Sequence, residues 1–229
     1  MSAPGDYVLD SRGGAVGRIE SVLTSASGVR LVVARAFSKY GYVVCARGDV
    51  ARSETDRLGL TWHTLSVTAD DVARAGVFRR ELGRLVKDPF PMPYGAPRPD
   101  AEAQAELTAA LADDPLTGDG EIAAHVAHGV AVLEGWIPTV GGKVIAERIA
   151  RTVPGVWDAV NRLVSDDELV GAVRAHVRRA GALADAIQEL RVERATVRIT
   201  LLPGDAGDPD ALRRVAAEVP GVRAVELAR

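Results

Sequence analysis

Apolar and polar positions alternate along the first part of the chain, and this pattern predicts short β-strands. Gly13-Gly14 gives a turn signal between the first two strands. The predicted strands cover Tyr7–Leu9, Val16–Leu23, Arg30–Phe37, Tyr42–Ala46 and Leu58–Thr64. Short strands joined by glycine and aspartate turns are typical of a small closed or half-closed β-barrel.

The apolar pattern then takes a helical period. Thr68 and Asp71 have nearly the spacing and chemistry of a capping box, and they predict a helix that runs to Asp88, just before Pro89. Arg80, Arg84 and Lys87 line one side of this helix, next to an apolar stripe. Such a basic face can bind anionic lipid or phosphate. The alternative is an ordinary surface helix packed on the barrel, which most amphipathic helices are.

Five prolines fall within residues 89–99, and they predict an extended, semi-rigid linker. This segment is the clearest domain boundary in the sequence.

The C-terminal two thirds contains a repeat with an offset of 66 residues. Val153-Pro154-Gly155-Val156 returns as Val219-Pro220-Gly221-Val222. Each copy predicts the order α-β-β-α-β, and Ser165 with Glu168 forms a capping box at the start of the second copy. A tandem of small modules favours binding or assembly over a single deep active site.

These patterns predict an α+β protein with a small N-terminal β-barrel and two αββαβ modules. In the first module we expect helices at 101–112 and 142–153 and strands at 121–127, 130–137 and 156–163. In the second we expect helices at 165–179 and 209–219 and strands at 187–193, 196–202 and 222–227. The predicted bounds are 1–88 for the barrel domain with its C-terminal helix, 89–99 for the linker, and 100–164 and 165–229 for the modules.

Charge is spread unevenly along the chain. The net charge of −3 divides into +3 for residues 1–90, −5 for 91–164 and −1 for 165–229. A basic front and an acidic middle can attract one another within a chain or between chains, at short range. The small total does not indicate a nucleic-acid partner.

Cys45 is the single cysteine, which fits a reducing compartment, and the N-terminal sequence has no signal-peptide pattern. We therefore expect a cytoplasmic protein.

The sequence contains no pattern that predicts a cofactor, a metal or a catalytic centre. Gly13 to Gly17 faintly matches a dinucleotide loop, but an alternating strand follows where that loop needs a helix. His125 and His128 would point to opposite faces of a strand. Asp208 is best explained as a helix cap, and Cys45 lies in an apolar run that indicates the core.

The first module resembles the BON domain. The resemblance rests on Glu121-Ile122, on Gly129 to Gly135, on Ala146 to Ala150 and on Val153-Pro154-Gly155-Val156. The second module is a degenerate copy, because Arg194-Ala195 replaces His128-Gly129. The segment from Asp10 to Ile19 resembles the opening motif of a PRC-barrel domain. Neither family brings an active site.

These resemblances imply a non-enzymatic bacterial adaptor. BON domains imply binding to anionic phospholipid or envelope partners, self-assembly and a role in stress tolerance, so we expect a protein peripheral to the membrane. The alternative is a protein- or RNA-associated cytoplasmic adaptor led by the barrel. Trp136 and Trp157 flank the glycines of the first module, either as interface anchors or as core residues. The candidate binding surface comprises Arg80, Arg84, Lys87, Gly129, Gly135, Trp136 and Trp157.

Overall fold

The structure of the chain is a computed structural model. It describes residues 2–26, 28–37, 41–81, 84–88, 97–181, 187–202 and 208–228. Most of the predicted linker, residues 89–96, lies outside the described residues. The chain forms two compact units. The first comprises residues 1–103, 126–130 and 154–158, and the second comprises residues 104–125, 131–153 and 159–229.

The first unit contains an eight-stranded sheet in the order β5-β6-β1-β2-β3-β4-β7-β8. Its strands are β1 Tyr7–Leu9, β2 Ala15–Ser25, β3 Gly28–Arg35, β4 Tyr42–Ala46, β5 Val50–Thr55, β6 Thr61–Leu65, β7 Val77–Glu81 and β8 Arg84–Lys87. A core of Val and Leu side chains with Ile19 and the buried Cys45 holds one face of this sheet. Among the described residues β5 and β8 do not pair, so the sheet is not closed, and of the two predicted forms, closed and half-closed, the closed one is not found.

The prediction of a helix from Thr68 to Asp88 is correct at its start and wrong after Ala75. Thr68 and Asp71 do form a reciprocal capping box, but helix α1 covers only Ala69–Ala75 and ends at Gly76. The chain then forms the β7–β8 hairpin, in which Val77 and Phe78 pair with β4. Of the strands that the structure describes, only β7 pairs with this side of β4. Pairing there outweighs the helical pattern, because tertiary contacts override local propensity.

The first αββαβ module follows the predicted order. Its elements are α2 Asp100–Asp113, β9 Glu121–Ala127, β10 Val130–Ile137, α3 Val140–Thr152 and β11 Asp158–Ser165. They form a three-stranded sheet in the order β11-β10-β9. Thr139 caps α3 by accepting a hydrogen bond from the Gly142 amide. The strand bounds of β9 and β10 are those predicted.

The second module has the same order and its own core. Its elements are α4 Asp166–Arg179, β12 Ile187–Glu193, β13 Thr196–Leu201, α5 Pro209–Ala217 and β14 Ala224–Ala228. The sheet order is β12-β13-β14, and β13 and β14 are parallel. The capping box of Ser165 and Glu168 and the Asp208 cap are confirmed. Leu169, Val173, Val177, Leu212 and Ala216 pack from the two helices onto the sheet. The α+β class is confirmed, whereas the domain bounds stay predictions.

Candidate functional site

Each module closes its hairpin with one aspartate at the start of its first helix. In the first module, the Asp100 carboxylate accepts hydrogen bonds from the backbone amides of His128 and Gly129, both at 2.8 Å. In the second, Asp166 accepts from Arg194 and Ala195, both at 2.9 Å. We call this arrangement the turn clamp. Its residues lie 66 positions apart in the two modules, so the repeat extends to side-chain contacts.

Both clamped turns have left-handed backbone at their two central residues. The φ angles are 50° at His128 and 73° at Gly129, against 52° at Arg194 and 59° at Ala195. This is the geometry of a tight two-residue hairpin turn, which normally favours asparagine and glycine. The second copy, which lacks the turn glycine, therefore keeps the predicted hairpin and the same turn geometry. The ionised acceptor supplies two charge-assisted hydrogen bonds that hold the turn without its glycine.

The helix-to-strand corner is also the same in both copies. Gly155 and Gly221 have φ angles of 92° and 94°, where glycine is strongly favoured. After each corner the chain returns to the turn: the Trp157 amide donates to the Gly129 carbonyl oxygen, and the Arg223 amide donates to that of Ala195, both at 2.9 Å. The Val-Pro-Gly-Val repeat thus fixes where the last strand begins.

An aromatic cluster covers the turn of the first module. The His128 ring lies 4.8 Å from the Trp62 ring, and Trp157 lies 5.8 Å from Tyr7 and 6.3 Å from Phe37. The Trp157 indole also donates to the His128 carbonyl oxygen at 2.8 Å. A chain with only 4% Phe, Trp and Tyr concentrates them here. Trp157 and Gly129 are therefore both engaged within the first unit.

Asp158 adds a polar contact next to this cluster. Its carboxylate accepts a hydrogen bond from the Tyr7 hydroxyl at 3.2 Å and lies 3.4 Å from Arg18 Nη1. Asp158 belongs to the acidic middle of the sequence and Arg18 to its basic front. This ion pair therefore joins one residue of each region within the chain. Because Arg18 is half exposed, the ion pair itself contributes little to stability.

The turn of the second module is clamped next to Trp136. The Trp136 indole donates to Asp166 Oδ1 at 2.7 Å, and its side chain, which is 4% exposed, joins the core of the second module. Trp136 is thus a core residue. Gly135 precedes it with a φ of 113°, in a strand position where a Cβ would lie 2.0 Å from the Glu121 carbonyl oxygen. Gly135 permits this close backbone approach.

Lys143 and Glu168 form an ion pair in the second unit, with Nζ 2.9 Å from Oε1. Partial burial opposes ionisation of Glu168, but hydrogen bonds from Lys143 and from Ser165 outweigh it, so the pKa of this carboxyl lies below its ordinary value. Arg223 and Glu121 form another ion pair at 2.6 Å.

The three basic candidates lie on the β7–β8 hairpin and not on a helix. Arg80 is engaged, because it donates to Glu20 at 2.9 Å and lies over the Tyr42 ring. Arg84 and Lys87 are exposed. Next to them Val86 exposes 37% of its surface.

The candidates fall into three groups in the described structure. Gly129 and Trp157 contact each other, Gly135 and Trp136 lie together in β10, and the cations lie on the hairpin. Sequence reasoning missed Asp100 and Asp166. The signal that could have found them is the 66-residue offset of the repeat, because it also relates Asp100 to Asp166.

The remaining reactive groups have structural surroundings. Burial, with the nearby Asp49 charge, raises the pKa of the Cys45 thiol to about 12. His63 is buried between the Ser53 hydroxyl at 2.7 Å and the Asp6 carboxylate at 2.9 Å. Ser53 and His63 are register partners on β5 and β6, so this contact is a cross-strand bond. In the described part of the chain, His, Cys, Asp and Glu side chains form no cluster of three that could hold a metal ion.

A family model of the BON domain matches residues 99–167, which is less than half of the chain. No curated protein matches. Among solved structures, the C-terminal domain of CdsD, a structural protein of the type III secretion system of Chlamydia trachomatis, has a TM-score of 0.44 and 17% identity, over 57% of this chain and 67% of that one. A second CdsD structure gives a TM-score of 0.45 and 18% identity, over 56% and 61%. TM-scores below 0.5 support no inference about role.

None of the described helices is both long enough and apolar enough to cross a bilayer.

Proposed function

We propose that this protein is a non-enzymatic bacterial adaptor that binds anionic membrane surfaces through the β7–β8 hairpin. The observation that carries the proposal is the pair of exposed cations, Arg84 and Lys87, next to the exposed Val86. The BON match at residues 99–167 supports a binding role. In this proposal the second module is a degenerate BON-like domain, and the first sheet is a PRC-barrel-like domain.

The hairpin has the chemistry that a lipid headgroup layer requires. Arg84 and Lys87 make no ion pair with other described residues, so binding would not first have to break one. Each cation near an anionic surface contributes about 1 kcal/mol, and partial insertion of Val86 adds a small apolar term. Two free cations give weak attachment, so we expect binding that falls as salt rises.

Flotation with vesicles tests this proposal. Full-length protein should float with vesicles of phosphatidylglycerol and phosphatidylcholine at low salt, and it should not float with phosphatidylcholine alone. Arg84→Glu with Lys87→Glu should reduce the bound fraction about tenfold or more, because reversing two charges changes the net charge of the contact by about four units. Arg47→Glu with Arg57→Glu is the matched control, since both residues are exposed on the same unit. Equal loss in both double variants would show nonspecific attraction and would refute the hairpin as the site.

An RNA-associated role is the other candidate for the same cations, because phosphate is the shared chemistry. Copurified nucleic acid that disappears after nuclease treatment, together with absence of flotation, would replace the membrane proposal with this one.

A further inference from the structure

The last strand of each module is an edge strand, and the two edges are covered differently. In the first module, Arg151 Nη2 of α3 donates to the Ala159 carbonyl oxygen of β11 at 3.3 Å. The Asn161 amide of β11 donates to the Lys143 carbonyl oxygen of α3 at 2.8 Å. These two bonds tie α3 to β11 through side chains at the sheet edge.

The offset of 66 residues identifies the equivalent positions in the second module. Ala217 stands where the first module has Arg151, and Leu227 stands where it has Asn161. Alanine and leucine side chains cannot donate hydrogen bonds. The bonds that tie helix to edge in the first module therefore have no counterpart on β14.

The side chains of β14 also do little to prevent strand addition. The strand reads Ala-Val-Glu-Leu-Ala, with Ala224, Glu226 and Ala228 exposed. Its one charge is compensated, because Glu226 Oε2 lies 2.9 Å from Arg198 Nε. Natural sheets protect their edges with charged residues, above all lysine, with proline, with bulges or with cover, and of these β14 has only the one charged residue, Glu226.

The other described edges differ from β14 in charge or cover. The edge strand β12 carries three charged residues, Glu189, Arg191 and Glu193, against one on β14, although these also form ion pairs, with each other and with Arg198. The edges of the first sheet carry Arg52 and Glu54 on β5, and Arg84 and Lys87 on β8. On β9, Glu121 is held by Arg223 and the strand is half-buried along most of its length. The best match for an open β14 in another copy is therefore β14 itself.

We propose that β14 pairs antiparallel with β14 of a second copy of this chain, so that two three-stranded sheets become one of six strands. An isologous contact of this kind closes after two copies. We place the dyad on Val225, which sets Glu226 opposite Ala224, whereas a dyad on the central residue Glu226 would set two glutamates face to face, which is unfavourable. The inference goes beyond the proposed function, and it does not depend on membrane binding.

Light scattering on the full chain tests the pairing. A five-residue edge buries a small area, so we expect a concentration-dependent dimer with a mass approaching twice 24.1 kDa. Ala224→Lys with Ala228→Lys should raise the dissociation constant tenfold or more, because lysines at an edge oppose pairing. Ala123→Lys, at an exposed position of β9, is the matched control and should leave the mass unchanged. Circular dichroism verifies that each variant is folded.

A single cysteine at the dyad tests the register. Val225→Cys should form a disulfide-linked dimer on mild oxidation, whereas Cys45 is buried and stays unreactive. A monomer at the highest soluble concentration, or dimer loss in Ala123→Lys alone, would overturn the proposal. Open-ended polymers would overturn the dyad, since they require two different surfaces. Flotation of the Ala224→Lys, Ala228→Lys variant separates the two proposals, because this variant should lose the dimer and still bind vesicles. If the protein does not float at all, the membrane proposal fails, and the mass measurement still tests the pairing of β14.

Discussion

The two αββαβ modules hold the same turn by the same aspartate but differ in what surrounds it. In the first module the turn contains glycine and its His128 ring lies against Trp62. In the second the turn contains Arg194 and Ala195, and Arg194 is exposed to solvent. The difference shows that the turn glycine is replaceable while the clamp is present. The features that both copies retain are the acidic residue at the helix start and the corner glycine.

We expect the largest loss of stability when the aspartate of the turn clamp is removed from either module. Asp100→Ala and Asp166→Ala each leave two turn amides without their acceptor, and we expect a loss of about 2 to 3 kcal/mol in the free energy of unfolding. Asp166→Ala should cost about 1 kcal/mol more, because the Trp136 indole loses its partner too. Urea unfolding with hydrogen exchange of the two turn peptides measures both. Asp113→Ala, at the exposed end of α2, should change stability by less than about 0.5 kcal/mol. Equal, small losses in all three variants would mean that the clamp is dispensable.

The first residue of each turn sharpens the comparison. Arg194→Asn should stabilise the protein by about 0.5 kcal/mol, because asparagine tolerates left-handed backbone better than arginine. His128→Asn relieves the same backbone but removes the contact with Trp62, so we expect no gain or a loss of about 0.5 to 1 kcal/mol. Thermal unfolding should show a higher melting temperature for Arg194→Asn and an unchanged or lower one for His128→Asn. A gain in both variants would show that the aromatic contact contributes nothing to the first turn.

The smallest expected effect concerns pH. The pKa of Glu168 is lowered in the folded protein, so its contribution is complete above the ordinary glutamate pKa and is lost as the pH falls through the folded value. Because Glu168 is partly exposed, this amounts to a few tenths of a kcal/mol. In Glu168→Gln, the free energy of unfolding should therefore fall less on acidification than in the unchanged protein, by that amount. Glu106→Gln, on the exposed surface of α2, provides the comparison. An unchanged profile in Glu168→Gln would contradict the role of the ion pair with Lys143.

Local sequence signals predicted the modules well and the first sheet less well. The bounds of β9, β10 and β12 and the capping box at Ser165 depend on alternation and capping, which act over a few residues. Strand β5 was missed because its sequence, Val-Ala-Arg-Ser-Glu-Thr, is mostly polar and lies at a sheet edge. The β7–β8 hairpin was taken for a helix because its partner strand β4 lies more than thirty residues away in sequence.

The candidate site was predictable only in part. The basic residues were found from their charge, but their place on a hairpin depended on the long-range pairing just described. Gly129 and Trp157 were named together as candidate surface residues, but the engagement of Trp157 with Tyr7 and Phe37 joins residues 150 and 120 positions apart. No local pattern encodes such contacts.

The aromatic cluster has a consequence for how the protein is made. Synthesis proceeds from the N-terminus, and the ring of Trp157 belongs to the same compact unit as Tyr7. The first unit therefore cannot complete its packing on the ribosome until the chain beyond residue 158 has emerged. By then the intervening strands and α3 have been synthesised, so the first unit and the first module must mature together.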